Sequence, residues 1–342
     1  MSMMKKLDVC IPPITGFFHI DIPLAILYSD KRTHAWVFSN YIQLYSIENI
    51  EVNQPCFIDF YHSYFGAFRF LELATCPWIL FERISIKDIK EKWANELIFI
   101  KSKIDENKYI GITVLMEKIQ NYDGRSGSHN LFIYGYNDEK EVLYCADHFR
   151  KGVLSFEEVS YNDFENATTY PCHDELNWGA LEGVCMFSKI ERSHEKIYDL
   201  SINKIIFDLK MYLERETLTI RKDDYFIFGL NCYDNMIYYY KLAIEKLMPE
   251  IGLKAIHIQR KHKKIMLLRV EYLAQEYPML KVFFAPLEKL LIDLELTLNL
   301  IIKYNLKRKH AILEKVIDNI LAIKENEEQI LKEFIKALTI LE

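Results

Sequence analysis

The chain has 342 residues, of which 50% are hydrophobic and 27% charged, and its formal net charge is −6. That length exceeds one ordinary hydrophobic core and suits two domains of roughly 150 residues each. The negative charge gives no general attraction to phosphate backbones, and the sequence has no zinc-finger, RNP or helix-turn-helix motif. We therefore expect no nucleic-acid partner.

The sequence carries no signature of secretion or membrane insertion. Its first ten residues have no apolar run long enough for a signal peptide, and no segment reaches the eighteen or so uninterrupted apolar residues of a membrane span. The seven cysteines are scattered without a CxxC pair, which is not the pattern of a disulfide framework. We expect a cytoplasmic protein, no membrane partner, and thiols that are mostly buried as small apolar groups.

The first elements in chain order are predicted to be helical. A helix begins at about Asp21, which can cap it, with Pro23 in its first turn. Residues 57–73 are dense in aromatic side chains, and periodicity alone does not decide between strand and helix there. Residues 86–104 then have the pattern of an amphipathic helix, with Ser85 as its cap.

The middle of the chain predicts an antiparallel sheet. Its β-rich runs are separated by short segments of turn-forming residues, as in hairpins. A brief helix is predicted over residues 156–167. The predicted strands span residues 109–115, 129–136, 141–146, 152–156 and 183–190.

Beyond residue 193 the pattern changes to long helical periods with almost no glycine. We therefore expect two domains, over residues 1–192 and 193–342, with the second all-helical. The predicted helices of this second domain span residues 202–216, 235–246, 256–276 and 287–341, the last broken near Asn305.

Two residues in the predicted sheet form a candidate catalytic pair. His129 lies at the start of one strand and Asp147 at the end of the next, and these ends lie side by side in an antiparallel hairpin. Asp147 can therefore accept a hydrogen bond from one ring nitrogen of His129 and leave the other nitrogen as a base. The plainer alternative is that His129 ends a strand and Asp147 caps a turn.

The segment around this pair resembles a known family. His129, the Gly135-Tyr136 turn and Asp147 resemble the His and Asp half of peptidase C39-like domains, which have a papain-like fold, and specifically the butirosin-biosynthesis acyltransferase family. Residues 13–19, followed by a helix, resemble the segment before that family's nucleophilic Cys. Residues 262–269 resemble part of its C-terminal half.

This resemblance implies an α+β fold, with a papain-like domain containing a small antiparallel sheet and an all-helical domain after it. It also implies an amide-forming acyltransferase of specialised metabolism, such as antibiotic or nonribosomal-peptide biosynthesis. The acyl donor would be a thioester on the phosphopantetheine arm of an acyl or peptidyl carrier protein, the acceptor a small amine, and no other cofactor is expected. His129 would be the general base and Asp147 its orienting partner.

The sequence departs from the family at the nucleophile. Just after His19 the chain has Ile20-Asp21-Ile22, without a Cys, Ser or Thr at the start of the helix. Cys10 and Cys56 remain as alternative nucleophiles, and Asp21 is more typical of a helix cap. Two other functions therefore stay open: a catalytically inactive binding module for a carrier protein or partner enzyme, and a cysteine peptidase that uses Cys10 or Cys56.

Other motifs give weaker signals. Ligand-type residues cluster at Cys145 with His148 and over residues 172–174, but neither group has a second matching pair for a four-ligand zinc site, so we expect no metal. GxGxxG, P-loop and HExxH elements are missing from the sequence, which gives no support for nucleotide binding.

Two basic clusters, over residues 260–264 and 307–310, are ordinarily solvated helix faces. Their functional alternative is docking of an acidic protein. The aromatic residues 57–70 are more typical of a core than of a pocket for an aryl-acyl chain.

Overall fold

The computed structural model describes most of the chain. The described residues are 3–47, 56–61, 76–150, 152–168, 183–190, 198–214, 219–221, 224–246 and 250–341.

Strands and helices both occur in the described residues, with single turns of 3-10 helix between some of them. The strands are β1 Met4–Lys6, β2 Leu44–Ile47, β3 Ile58–Phe60, β4 Ile79–Ile84, β5 Lys108–Leu115, β6 Ser128–Asn137, β7 Val142–Arg150, β8 Val153–Ser160, β9 Val184–Lys189, β10 Thr219–Arg221 and β11 Asp224–Phe228. The helices are α1 Phe18–Leu27, α2 His34–Ser39, α3 Ile86–Lys92, α4 Glu96–Asp105, α5 Tyr161–Thr168, α6 Ile202–Glu214, α7 Asn231–Glu245, α8 Lys254–Leu273, α9 Phe284–Lys307 and α10 His310–Ile340.

The chain divides into two compact units, and each is made of two separate stretches of sequence. The described residues of Met1–His34 and Phe70–Tyr198 form the first unit, and those of Ala35–Arg69 and Asp199–Glu342 form the second. This grouping differs from the predicted division at residue 192, because a segment near the N-terminus belongs with the C-terminal half.

The first unit is built on an antiparallel sheet. The strand order is β4-β9-β5-β6-β7-β8, with β1 paired to the far end of β6. Alternate residues of the central strands point to one face, so the period-two apolar pattern buries one continuous layer. That layer packs against side chains of α3, α4 and α5 and forms the core of this unit.

The second unit combines long helices with a small antiparallel sheet of strand order β10-β11-β2-β3. Backbone carbonyls of residues 38–42 hold its N-terminal segment to α8. The buried Arg269 donates to the carbonyl oxygens of Phe38 and Asn40, at 2.7 and 2.6 Å. Nε2 of the buried His262 donates to the carbonyl oxygen of Ile42 at 2.7 Å.

A fully buried ion pair joins two helices of the second unit. Nζ of Lys263 in α8 lies 2.5 Å from a carboxylate oxygen of Glu327 in α10, and both side chains are inaccessible to solvent. The hydroxyl of Tyr233 donates to the other oxygen of Glu327 at 2.7 Å. Lys263 also donates to Nδ1 of His262 at 2.7 Å. The buried network of Lys263, Glu327 and Tyr233 therefore joins α7, α8 and α10.

Most predicted elements are confirmed, and the differences have local causes. Helix α1 begins at Phe18, so Asp21 lies within the helix and not at its cap. The carboxylate of Asp21 accepts from the backbone N–H of Gly16 at 2.7 Å, from inside the helix. The helix predicted over 86–104 is two helices, since Asn95 caps a new one. Ser85 caps the first of them as expected. Residues 156–160 continue β8, and the predicted helix begins only at Tyr161.

The expectation of an α+β fold with a helical C-terminal region is confirmed. The expectation that this region is all-helical is wrong, because β10 and β11 lie within it and pair with β2 and β3. The described part of residues 57–70 contains strand β3, whose Phe60 is buried in the core; residues 62–70 lie outside the described ranges. None of the described helices combines the length and the apolar character that a membrane crossing requires.

Candidate functional site

The sheet of the first unit brings His129 and Asp147 together. In the β6–β7 pairing Phe132 lies opposite Ala146, so continuing this register places Asp147 beside Leu131 and diagonal to His129. Diagonal neighbours on one sheet face are close enough for their side chains to interact. Both residues follow the same alternation as the buried apolar side chains, so the pair lies at the end of the core face.

Asp147 is the centre of a hydrogen-bond network. One carboxylate oxygen, Oδ2, accepts from Nδ1 of His129 at 2.7 Å and from the hydroxyl of Tyr122. The other oxygen, Oδ1, accepts from the backbone N–H of His148 at 2.6 Å. The side chain of Asp147 is only 3% exposed. Three donors therefore satisfy the carboxylate out of water and fix its orientation.

Tyr122 reaches Asp147 from the connection between β5 and β6. Its ring is fully buried and meets the His129 ring edge-on at 6.1 Å between centroids. Burial, together with the negative charge of Asp147, raises the pKa of Tyr122, so its hydroxyl remains a donor. Arg125 follows in the same connection, and its guanidinium donates to the carbonyl oxygens of His148 and Phe149.

The network assigns different roles to the two ring nitrogens of His129. Because Asp147 accepts at Nδ1, that nitrogen carries a hydrogen, and in the neutral form of the ring Nε2 holds the lone pair. No described residue forms a hydrogen bond with Nε2, and the side chain is 37% exposed. The arrangement is that of an imidazole base with one nitrogen oriented by a carboxylate and the other directed away from it.

A second carboxylate–imidazole pair is linked to the first through the backbone, because His148 follows Asp147 and its N–H donates to that carboxylate. Nε2 of His148 lies 2.8 Å from Oδ2 of Asp21, and Nδ1 of His148 lies 2.9 Å from the carbonyl oxygen of Gly152. Asp21 is also held through Oδ1 by the N–H of Gly16. Both rings of the site are thus paired with carboxylates, but His148 has both nitrogens occupied within the protein.

The two candidate thiols lie in environments that disfavour a thiolate. Cys10 is half-buried, its Sγ lies 3.8 Å from the carbonyl oxygen of Ala25, and burial raises its pKa. Cys56 is buried in the second unit, and burial raises its pKa to about 12. Among the described residues of the first unit, no hydrogen bond joins Cys10 to His129. A nucleophilic cysteine instead needs a lowered pKa.

The basic cluster over 260–264 is solvated only in part, because Lys264 is exposed but two of its neighbours are not. His262 and Lys263 are fully buried, and Arg260 is paired with Glu295. By contrast, the cluster at the α9–α10 connection is accessible, since Lys307, Arg308 and Lys309 are exposed.

Metal ligands do not converge in the described part of the chain: no three His, Cys, Asp or Glu side chains there are placed to hold an ion. The candidate ligands at residues 172–174 lie outside the described ranges.

Sequence reasoning found His129 and Asp147 but missed Tyr122, and it did not pair Asp21 with His148. Tyr122 is one of 22 tyrosines and has no distinguishing motif, although it directly precedes the Asp123-Gly124 turn. The Asp21–His148 contact joins residues 127 positions apart. Only the folded sheet brings them together.

No protein-family model matches this chain, and a search of curated proteins finds no match.

Proposed function

We propose that the protein is an amide-forming acyltransferase that transfers an acyl group from a carrier-protein thioester directly to a small amine. The observation that supports this most is the His129 geometry, with Nδ1 held by Asp147 and Nε2 left to carry the lone pair in the neutral form of the ring. A nitrogen base in that state can take a proton from an attacking amine. The resemblance to the papain-like acyltransferases suggests the thioester donor.

The chemistry balances without a protein nucleophile. The amine nitrogen attacks the thioester carbonyl, the new C–N bond forms, and the C–S bond breaks. His129 accepts the proton that the nitrogen loses and returns it to the departing thiolate, which leaves as the free thiol of the phosphopantetheine arm. Positioning the two substrates together can supply several kcal/mol of the barrier, on the order of 7–11 for well-aligned groups.

The thiol environments disfavour the covalent alternatives. A cysteine peptidase needs a thiolate beside its imidazole, whereas burial raises the pKa of both Cys10 and Cys56. The alternative of an inactive binding module shares the fold and differs only in lacking turnover. This alternative predicts that replacing His129 leaves the binding of the carrier protein or partner enzyme unchanged.

Turnover with model substrates tests the proposal. Acetyl-, hexanoyl- and benzoyl-pantetheine serve as donors and hydroxylamine as the amine, with hydroxamate formation measured by mass spectrometry. We expect product formation that falls at least a hundredfold in His129→Gln, since a positioned base contributes about 10²–10⁴ in rate. His257→Gln in the second unit is the matched control and should keep full activity.

Two results would count against this function. Product formation at the wild-type rate in His129→Gln would remove the base from the mechanism. No product with any donor, together with retained binding of an acidic acyl carrier protein by both forms, would leave the binding module as the function.

The exposed basic residues at the α9–α10 connection are the proposed docking point for the carrier. Carrier proteins of this kind are acidic, and opposite charges mainly speed and orient association. Lys307→Glu combined with Lys309→Glu should therefore slow transfer from a carrier-bound donor about tenfold or more and leave transfer from the pantetheine donor unchanged. Lys336→Glu lies near the other end of α10, roughly 40 Å away, and is the control. Equal rates for all three proteins with the carrier donor would rule out this docking point.

A further inference from the structure

The His148 ring has more acceptors than a neutral imidazole can satisfy. Nε2 faces a carboxylate oxygen of Asp21 and Nδ1 faces the carbonyl oxygen of Gly152, at 2.8 and 2.9 Å. Neither partner has a hydrogen to donate when Asp21 is ionised, and neutral histidine carries only one N–H. With Asp21 ionised, both contacts exist together only when the ring is an imidazolium with two N–H groups.

This ion pair is connected to the catalytic carboxylate. The backbone N–H of His148 donates to Oδ1 of Asp147 at 2.6 Å, so the main chain that carries the His148 ring also holds the group that orients His129. Asp21 connects this pair to the start of α1, because its second carboxylate oxygen accepts from the backbone N–H of Gly16 just before that helix. The pair therefore ties α1 to β7 at the position of Asp147.

The charges facing His148 come from three elements. Asp21 approaches from α1 and Asp147 precedes it in β7, while Arg125 from the β5–β6 connection holds the carbonyl oxygen of His148. The neutral carbonyl of Gly152 completes the surroundings from the turn before β8. The His148 side chain is 17% exposed and that of Asp21 is 5% exposed, so solvent screens their attraction only partly.

We infer that Asp21 and His148 are positioning residues for the His129–Asp147 pair, and that the site is fully ordered only while His148 is an imidazolium. This inference rests on the proposed function for its kinetic consequence but not for its structural one. When the ring loses its second proton, it can keep its hydrogen bond to Asp21 or to Gly152 but not both. The backbone next to Asp147 is then held by one hydrogen bond fewer.

The electrostatic surroundings agree with this assignment. Burial lowers the pKa of His148, but the hydrogen bond and charge of Asp21, with the Gly152 carbonyl, outweigh it, and the pKa is raised above the ordinary value of 6.5. Protonation of His148 therefore persists above the pH at which an exposed histidine loses its proton.

Nitrogen-15 NMR of the histidine rings tests the structural part without any substrate. We expect both ring nitrogens of His148 to be protonated at pH 6.5 in the wild type, and the neutral form of His129 to be a single tautomer with the hydrogen on Nδ1. In Asp21→Asn, His148 should lose one proton at a lower pH, and His129 should show a mixture of tautomers. His34, whose pKa burial lowers, is the reference within each spectrum.

The kinetic part uses the pH profile of hydroxamate formation. Loss of His148 protonation should give a decline at alkaline pH, and Asp21→Asn should move that decline to lower pH without moving the acidic limb. At a pH between the two alkaline declines we expect the variant to be on the order of 10- to 100-fold slower, as for a small misplacement of reacting groups. His34→Gln should keep the wild-type profile.

A singly protonated His148 ring at pH 6.5 in the wild type would overturn the inference, and no variant is needed to see it. An unchanged His129 tautomer in Asp21→Asn would overturn it as well. If no donor supports turnover, the proposed function fails while the NMR result still decides the role of this pair. His148→Gln, checked for folding by circular dichroism, serves as a second variant and should reproduce the mixture of His129 tautomers.

Discussion

The two histidines of the site differ in how many of their ring nitrogens the protein uses. His148 has both nitrogens bonded within the first unit, so it can hold structure but cannot exchange a proton with a substrate. His129 has one nitrogen bonded to Asp147, and among the described residues the other has no partner. Identical side chains in neighbouring positions thus acquire different roles from their hydrogen bonds alone.

Tyr122→Phe tests how much the third donor to Asp147 contributes. The change removes a buried hydroxyl that donates to a carboxylate, and hydrogen bonds to charged groups contribute about 1.5–3 kcal/mol each. We expect the free energy of unfolding in urea to fall by about that amount. Tyr109→Phe is the matched control, because its hydroxyl donates to the neutral carbonyl of Asp8 at 2.8 Å and should cost only about 0.5–1.5 kcal/mol. Equal losses in the two variants would contradict the role assigned to Tyr122.

The stability of the first unit should depend on pH through His148. Its folded-state pKa is raised, so the stabilisation by Asp21 is fully present below the unfolded pKa near 6.5 and is lost as the pH rises through the folded value. The free energies of unfolding of wild type and Asp21→Asn in urea should therefore differ most at pH 6, and the difference should shrink as the pH rises above 6.5. A difference that grows with pH would have the wrong sign for this account.

At the scale of elements, the buried ion pair between α8 and α10 supports the helical packing of the second unit. Lys263→Met would leave Glu327 charged and without its cation in a region inaccessible to solvent, which costs roughly 3–5 kcal/mol. Lys263→Met combined with Glu327→Leu removes both charges, and we expect the double variant to be more stable than the single one in urea. A single variant that loses less than about 1 kcal/mol would contradict the burial of this pair.

The sequence predicted elements well where the pattern of apolar residues is local. The strands around His129 and Asp147 follow from period-two alternation, and the long helices from their 3.6-residue period. The start of α1 was missed because Asp21 reaches back to Gly16 from inside the helix, and not from the N-cap position. The Asp21–His148 pair could not be predicted, since each residue has an ordinary local explanation and only the tertiary fold joins them.

At the scale of the whole molecule, the least predictable feature is the discontinuity of the two units. Residues 35–42 belong to the second unit and pack there through buried apolar side chains such as Phe38, whose ring contacts Tyr272. Their backbone carbonyls also accept from Arg269 and His262. Every residue has a carbonyl, so such contacts leave no mark on the sequence. Strands β2 and β3 add to this association by pairing onto β11.

The discontinuity predicts how fragments behave. A fragment of residues 193–342 lacks β2, β3 and the carbonyl acceptors of Arg269, so a buried cation would lose its partners. We expect this fragment not to unfold cooperatively by circular dichroism, and a fusion that supplies residues 35–69 to restore the transition. Cooperative unfolding of the fragment at the midpoint of the intact chain would contradict the division into these two units.

The most direct test of the central claim is rapid-quench intact-mass spectrometry during the reaction with benzoyl-pantetheine. Direct transfer predicts that the protein mass stays unchanged at all times, that thiol release requires hydroxylamine, and that this release depends on His129. A transient mass increase of one benzoyl group, formed without hydroxylamine and lost in Cys10→Ala or Cys56→Ala, would contradict direct transfer and establish a covalent acyl-enzyme.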